Sequence, residues 1–424
     1  MHKYTHLSFA LGLAAAAVSA SAQTDPIGAS QLQPVAPPQA GTPPGTMQAV
    51  PAPRPVVEWN RAAAQELLDY VLRIDEEGLD PRDYSPDRLQ AAVESGDRAQ
   101  LSQVATDVFL RVSSDIALGH VRGDSRVSWH INDTDLNGGE QYSMMERAVR
   151  DNNVRDTLTA LLPTHPQYNE LKSVLSDTPK SEKAKIEKIR TNMDRWRWLP
   201  RDLGQKYVIV NVPAYMVALV EDGRVVARRR AVAGAVKTAT PALSATISGV
   251  IFNPWWEVPK SIEPEVRGKR GYVAVKDEAT GKIIRWRQPP GASNALGRMK
   301  LVMPNNHAIF LHDTNVKGLF DKQARAYSHG CIRTEDALGF AQVLLEPTGQ
   351  WDKATIQQTI ASGKSVKADL AQPIPVYITY FTAAAIADKK EIVAYKDIYS
   401  RDTPVLTALN DSGRGGSALA SASK

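Results

Sequence analysis

From Trp59 to Arg195 the apolar residues recur at intervals of three and four, whereas from Lys206 onward many recur at every second position. The first spacing lines one face of an α-helix and the second one face of a strand. The chain therefore predicts a helical region followed by a strand-rich one. Asn60 is placed to cap a helix through Ile74, with Leu67, Leu68, Val71 and Leu72 on one side. Gly78-Leu79-Asp80-Pro81 breaks it, and Ser85-Pro86 restarts a helix through Leu89 and Val93, proline being favoured at the first helical position. Further helices are predicted over 100–118, 144–162 and 182–195. In the second region, 207–212 and 215–220 read as strands, and Asp222-Gly223 suits a hairpin turn into Val225-Val226-Ala227. Segments 245–252, 299–303, 308–311 and 375–382 read as further strands, and 334–345 as a helix. The helical region shows no converging reactive side chains and is read as a supporting layer.

The two ends fit neither pattern. Residues 1–22 combine Lys3, an apolar run from Leu7 to Val18 and the small-residue sequence Ala20-Ser21-Ala22, as in a signal peptide cleaved before Gln23. The run is too short for a spanning anchor, so an exported protein that is not integral to the membrane is expected. No cysteine follows the cleavage point, which excludes a lipoprotein. Residues 23–55, rich in Pro, Ala, Gln, Gly and Thr, are expected to form a disordered linker, and 403–424 a flexible tail. Between them lie a helical domain, 56–195, and a β-rich domain, 196–402.

With 424 residues and a formal net charge of +5, the chain holds at least two cores and carries its charges spread out. It has no arginine-rich tract and no phosphate-cradling glycine loop, which excludes nucleic acid as a partner and points to no cofactor. Cys331 is the only cysteine. A lone thiol in an oxidising compartment is a liability unless it performs chemistry. Its near neighbours include Tyr327, Ser328, His329, Gly330 and Arg333, and His312 lies upstream, a setting unlike that of a purely aliphatic core position. A thiol reacts as thiolate, and an imidazole is the usual base. Gly330 lets the backbone bend near a reacting carbonyl, making the N–H groups of Gly330 and Cys331 candidate oxyanion donors. Arg333 suits a substrate carboxylate or a structural ion pair. Trp255 and Trp256 either line a cleft or pack a core. His307, His312, His329 and Cys331 match no usual zinc spacing, so no metal is expected.

His312-Asp313-Thr314 followed by Ser328-His329-Gly330-Cys331-Ile332-Arg333 resembles the signature of L,D-transpeptidases with a YkuD-like catalytic domain. Trp196-Arg197-Trp198-Leu199-Pro200, Phe252-Asn253-Pro254-Trp255-Trp256, Asn294-Ala295-Leu296-Gly297-Arg298 and Asp397-Ile398-Tyr399 resemble its larger, YcbB-like branch. The resemblance implies an α+β protein: a helical scaffold domain followed by a β-rich YkuD-like catalytic domain, a β-sandwich with a few helices. It implies a periplasmic peptidoglycan L,D-transpeptidase in which Cys331 attacks a tetrapeptide stem at the diaminopimelate–D-alanine bond. A second stem then forms a 3→3 cross-link; an outer-membrane lipoprotein is an alternative acceptor, and carbapenems are the implied inhibitors. By the same resemblance His312 is the base, and its loss is expected to raise the pKa of Cys331. His329 shapes the pocket, with Tyr327 and Ser328 at its rim. Open alternatives are an L,D-carboxypeptidase, a cysteine peptidase or amidase on the same stems, and a non-catalytic wall-binding protein. Two departures stand out: no room for a peptidoglycan-binding domain between Tyr168 and Arg195, and a short capping segment from Ser261 to Trp286.

Overall fold

The computed structural model describes residues 57–132, 135–386 and 389–411. The expected signal peptide, the expected linker and residues 412–424 of the expected tail lie outside the described residues.

The helical region opens as its sequence suggests. The Asn60 side chain accepts the Ala63 N–H at 2.9 Å and starts the helix Arg61–Val71. Helices Pro86–Ser95 and Arg98–Leu118 follow, the latter capped by Asp97 through the N–H groups of Ala99 and Gln100. The helix expected over 144–162 is two, Gly138–Asp151 and Val154–Thr159. Asn152 between them adopts a left-handed conformation at φ 48°, which ends the first helix. Pro166–Asp177 is a helix that periodicity did not single out, with Pro166 in its first turn and the His165 ring accepting the Gln167 N–H. Lys183–Trp196 completes the layer. Leu67, Val71, Leu89, Phe109, Val112 and Ile116 form its core, together with Trp198.

The tail expected from residue 403 is corrected by a helix, Asp402–Leu409. Val405, Ala408 and Leu409 share one helical face and are buried in the same core. Asp402 anchors this helix by ion pairs to Arg195 and Lys188, each at 2.7 Å.

The strand-rich region is a ladder that closes on itself. From Ala242–Phe252 it runs through Val366–Thr379, Lys206–Asn211, Met216–Glu221, Arg224–Gly234, Ile332–Thr334, Leu311–His312 and Met299–Val302, which pairs back to the first. Pairing is mixed: Leu311–His312 runs parallel to Ile332–Thr334 but antiparallel to Met299–Val302. The helix expected from Thr334 begins at Ala337, because Thr334 belongs to a strand and Asp336 caps the helix through the Gly339 N–H. Phe340, Ala341, Leu344 and Leu345 of that helix pack into the core of the ladder. The strand expected over 308–311 shortens to Leu311–His312, since Ala308 takes φ 53°.

The short capping segment is folded. Trp256–Glu257, Val273–Lys276 and Ile283–Gln288 form a three-stranded antiparallel sheet, with a single helical turn at Glu263–Val266. Val258, Ile262, Val266 and Trp286 give it a small core.

Buried polar groups knit the helical layer together, and one of them, Asn192, ties it to the segment that follows the strand Val366–Thr379. Asp194, fully buried, accepts the N–H of His120 at 2.7 Å, that of Val121 at 3.1 Å and the Trp198 indole at 2.9 Å. Arg197 donates to the Glu77 carbonyl and the Tyr168 hydroxyl. Asn192 both donates to the Thr382 hydroxyl and accepts the Thr382 N–H.

Candidate active site

Alternation along three adjoining strands places the reactive side chains. Met299, Leu301, Leu311 and Ile332 point into the ladder's core. Lys300, His312 and Arg333 occupy the intervening positions and therefore share the opposite face. Register makes them neighbours, His312 lying opposite Lys300 on one side and opposite Arg333 on the other. Cys331 immediately precedes the strand Ile332–Thr334, on the same side as Arg333 and level with Phe310.

Cys331 is held by a tight loop. The Ser328 hydroxyl accepts the Gly330 N–H at 3.1 Å and donates to the Cys331 carbonyl at 2.5 Å. Thr240 donates to the Gly330 carbonyl at 2.7 Å. Gly330 sits at φ 120°, and a Cβ there would meet Ile309 at 3.1 Å. The glycine is thus required by the turn. Its N–H, engaged by Ser328, is not the open oxyanion donor expected from sequence; the Cys331 N–H has no acceptor among the described residues and retains that capacity. Ser328, expected at the rim, is buried and ties the loop.

The thiol itself faces Ala308, whose carbonyl lies 3.6 Å from Sγ. The left-handed backbone of Ala308 turns that carbonyl inward, and Asn305 fixes the turn by accepting the N–H groups of His307 and Ile309. No hydrogen bond joins Cys331 to His312. Burial pushes the thiol up to about 11, against the Phe310 N–H and the charges of Lys300 and Arg333, which favour thiolate. His312 is buried with its Nδ1 unpartnered. Burial first, then Arg333 and Lys300, hold its pKa down at about 3, while backbone groups of Asp313 and Leu296 act the other way. At neutral pH the ring is therefore a neutral base. The charge that would support a thiolate is therefore present on His312 only once the ring has taken the proton.

His312 is positioned from behind. Asp313 is buried, accepts the Arg298 N–H at 2.8 Å and pairs with Lys317. Gly297, at φ 65°, leaves room for that carboxylate; a Cβ would stand 2.4 Å from its Oδ2. Asn294 shapes the same turn, donating to the Pro254 carbonyl and accepting the Leu296 N–H. Asn253, buried at φ 47°, donates to the carbonyls of Thr359, Ile360 and Lys364. These residues explain the motifs around 253 and 294 as framework.

Of the remaining candidates, Arg333 has a buried Nε without a protein partner and makes no ion pair among the described residues. That leaves its guanidinium for an incoming anion. The His329 ring meets the cap, its Nε2 lying 3.2 Å from Glu265. Trp255 lies under the Arg287 guanidinium at 3.8 Å, and Trp256 packs edge-on to Tyr272 in the cap. Tyr327 is half exposed. Lys300, absent from the sequence candidates, belongs to the reactive face; its alternation with Met299 and Leu301 was the available signal.

Residues 205–369 match the family described as L,D-transpeptidase catalytic domain (YkuD), and residues 58–175 match the scaffold-domain family. A Haemophilus influenzae protein named "Putative L,D-transpeptidase" is 29% identical over 285 residues, covering 61% of this chain. The chain spans 57% of the length of that relative. Among solved structures, an L,D-transpeptidase from Enterococcus faecium is similar over 43% of this chain and 52% of its own, at 16% identity and TM-score 0.24. One from Mycobacterium smegmatis covers 41% of this chain and 58% of its own, at 12% identity and TM-score 0.21.

Proposed function

We propose that this chain, in which residues 58–175 match a scaffold domain and residues 205–369 a YkuD L,D-transpeptidase catalytic domain, is a cysteine-dependent peptidoglycan L,D-transpeptidase acting in the periplasm. The observation that carries this reading is the single face shared by Cys331, a buried His312 and an Arg333 that makes no ion pair among the described residues. The thiol proton passes to the His312 imidazole, and the sulfur attacks the diaminopimelate carbonyl of a tetrapeptide stem. The Cys331 N–H stabilises the oxyanion. As the tetrahedral intermediate collapses, the C–N bond breaks and D-alanine leaves with the proton returned by His312. An amine of a second stem then attacks the thioester, forming the 3→3 cross-link and regenerating the thiol. Arg333 receives a stem carboxylate in bidentate fashion. Water as acceptor gives L,D-carboxypeptidase activity, and a lipoprotein amine gives wall attachment.

The test is incubation of the purified protein with disaccharide-tetrapeptide and mass analysis of the products. A cross-linked dimer with loss of one D-alanine, absent with Cys331→Ser, is expected. Tripeptide alone reassigns the protein as a carboxypeptidase. Unchanged tetrapeptide with a folded, alkylatable enzyme refutes the reading. A carbapenem is expected to add one covalent mass at Cys331.

A further inference from the structure

Activation of Cys331 needs a nearby cation, because the thiol is half-buried and its neighbouring imidazole is neutral. Two cations share its face. Arg333 is the guanidinium open to a substrate carboxylate, and once so paired its charge is spent. Lys300 is different. It lies opposite His312 in register, its ammonium rests 5.3 Å over the Phe310 ring, and Phe310 is level with Cys331. It makes no ion pair among the described residues. Its neighbour on the other flanking strand is Ile251, so no anion faces it from that side.

We propose that Lys300 is the fixed cation of the site, stabilising the Cys331 thiolate that forms when His312 takes the thiol proton.

No bond to Lys300 forms or breaks; burial holds its ammonium below the usual lysine range, while Glu257 and the Cys331 thiolate act the other way and favour the charged form. The groups facing it are His312 and Cys331, Arg333 beyond them, and Glu257 from the cap, which is itself paired with Arg285 and Arg287. His329 contributes little, being turned to Glu265. The electrostatics agree in direction: Lys300 favours the ionised sulfur and disfavours protonation of His312. The first effect favours departure of the thiol proton and the second opposes its arrival on His312, so the role of Lys300 is read at the sulfur, in the alkylation profile.

The inference deepens the proposed function but its test does not depend on it, since Cys331 is the only thiol and every alkylation event reports its state. The rate of iodoacetamide labelling is measured against pH for the wild type, Lys300→Gln, Lys300→Arg and Glu257→Gln, each checked by circular dichroism. Lys300→Gln is expected to move the profile up by about one pH unit or more, the effect of losing an opposite charge at short range. Lys300→Arg, which keeps the charge, is expected to stay within a few tenths of a unit of the wild type. Glu257→Gln removes the anion facing Lys300 and is expected to move the profile down, which keeps the idea testable if Lys300→Gln fails to fold. A Lys300→Gln profile that coincides with the wild type overturns the proposal. So does an equal shift in Lys300→Arg, or an unmoved Glu257→Gln where Lys300→Gln is unfolded. Loss of transfer activity with the alkylation shifts intact would discredit the transpeptidase reading and leave the role of Lys300 standing.

Discussion

Folding stability is expected to depend on pH through His312. Its folded pKa of about 3 lies far below the ordinary value of 6.5 because a buried ring would have to charge beside Arg333 and Lys300. Between those two values the unfolded chain binds a proton that the folded protein refuses. Stability is then fully present above pH 6.5 and declines by about 1.4 kcal/mol per unit as pH falls towards 3. At pH 5 the His312 share of the loss is about 2 kcal/mol by the same relation. His165, held down at about 4 by burial, adds a loss of the same sign, so the wild-type curve alone does not isolate His312. The decisive comparison is His312→Gln, which carries no charge at either pH. Urea unfolding at pH 7.5 and pH 5 gives a stability difference for each protein, and the difference in the variant should be smaller by about 2 kcal/mol. Equal differences in the two proteins would refute the argument, because they would mean that the buried ring is not held neutral. The same logic says that His312→Ala lowers acylation by about two to four powers of ten without an upward shift of the Cys331 alkylation profile.

Three further outcomes follow from named contacts. Asp194→Asn replaces a carboxylate that serves two backbone N–H groups, an indole and Arg197 by a side chain with one acceptor oxygen, and should cost about 3 kcal/mol or more in urea unfolding. Gly297→Ala forces a methyl into the Asp313 carboxylate and strains a left-handed turn, so a loss of about 1–3 kcal/mol is expected on thermal denaturation, with reduced turnover from a displaced His312. Ser328→Ala unties the Gly330 N–H and the Cys331 carbonyl; steady-state kinetics should show a fall in kcat with little change in circular dichroism, and unchanged kcat would deny Ser328 its part in shaping the loop.

Much of the architecture was written in periodicity. The helix from Arg61 is capped by the very asparagine its sequence nominates, and Lys206–Asn211 and Met216–Glu221 fall within a residue of the alternating runs. What escaped was short or conditional on partners. Ile332–Thr334 is three residues long and becomes a strand only because Arg224–Gly234 and Leu311–His312 lie on either side of it. The cap strands Val273–Lys276 and Ile283–Gln288 leave Val273, Ile283 and Ile284 exposed, so no clean polar–apolar pattern marks them. At the site, Cys331, His312 and Arg333 were visible as residue types in suggestive company. That the Gly330 N–H is taken by Ser328, and that His329 faces the cap, depends on backbone torsions and on residues sixty positions away. Local spacing carries no such information.

The final helix has a consequence for biogenesis. Val405, Ala408 and Leu409 fill the same core as Trp59 and Leu67, so the first folded segment to be synthesised waits for the last. Nascent helices on the ribosome would hold an open seam where Asp402–Leu409 belongs, and Arg195 would lack its carboxylate partner. This core is therefore complete only once residues 405–409 have been made and have docked on it. Because loop closure across nearly the whole sequence costs little more than across half of it, the delay is one of timing rather than of thermodynamic expense.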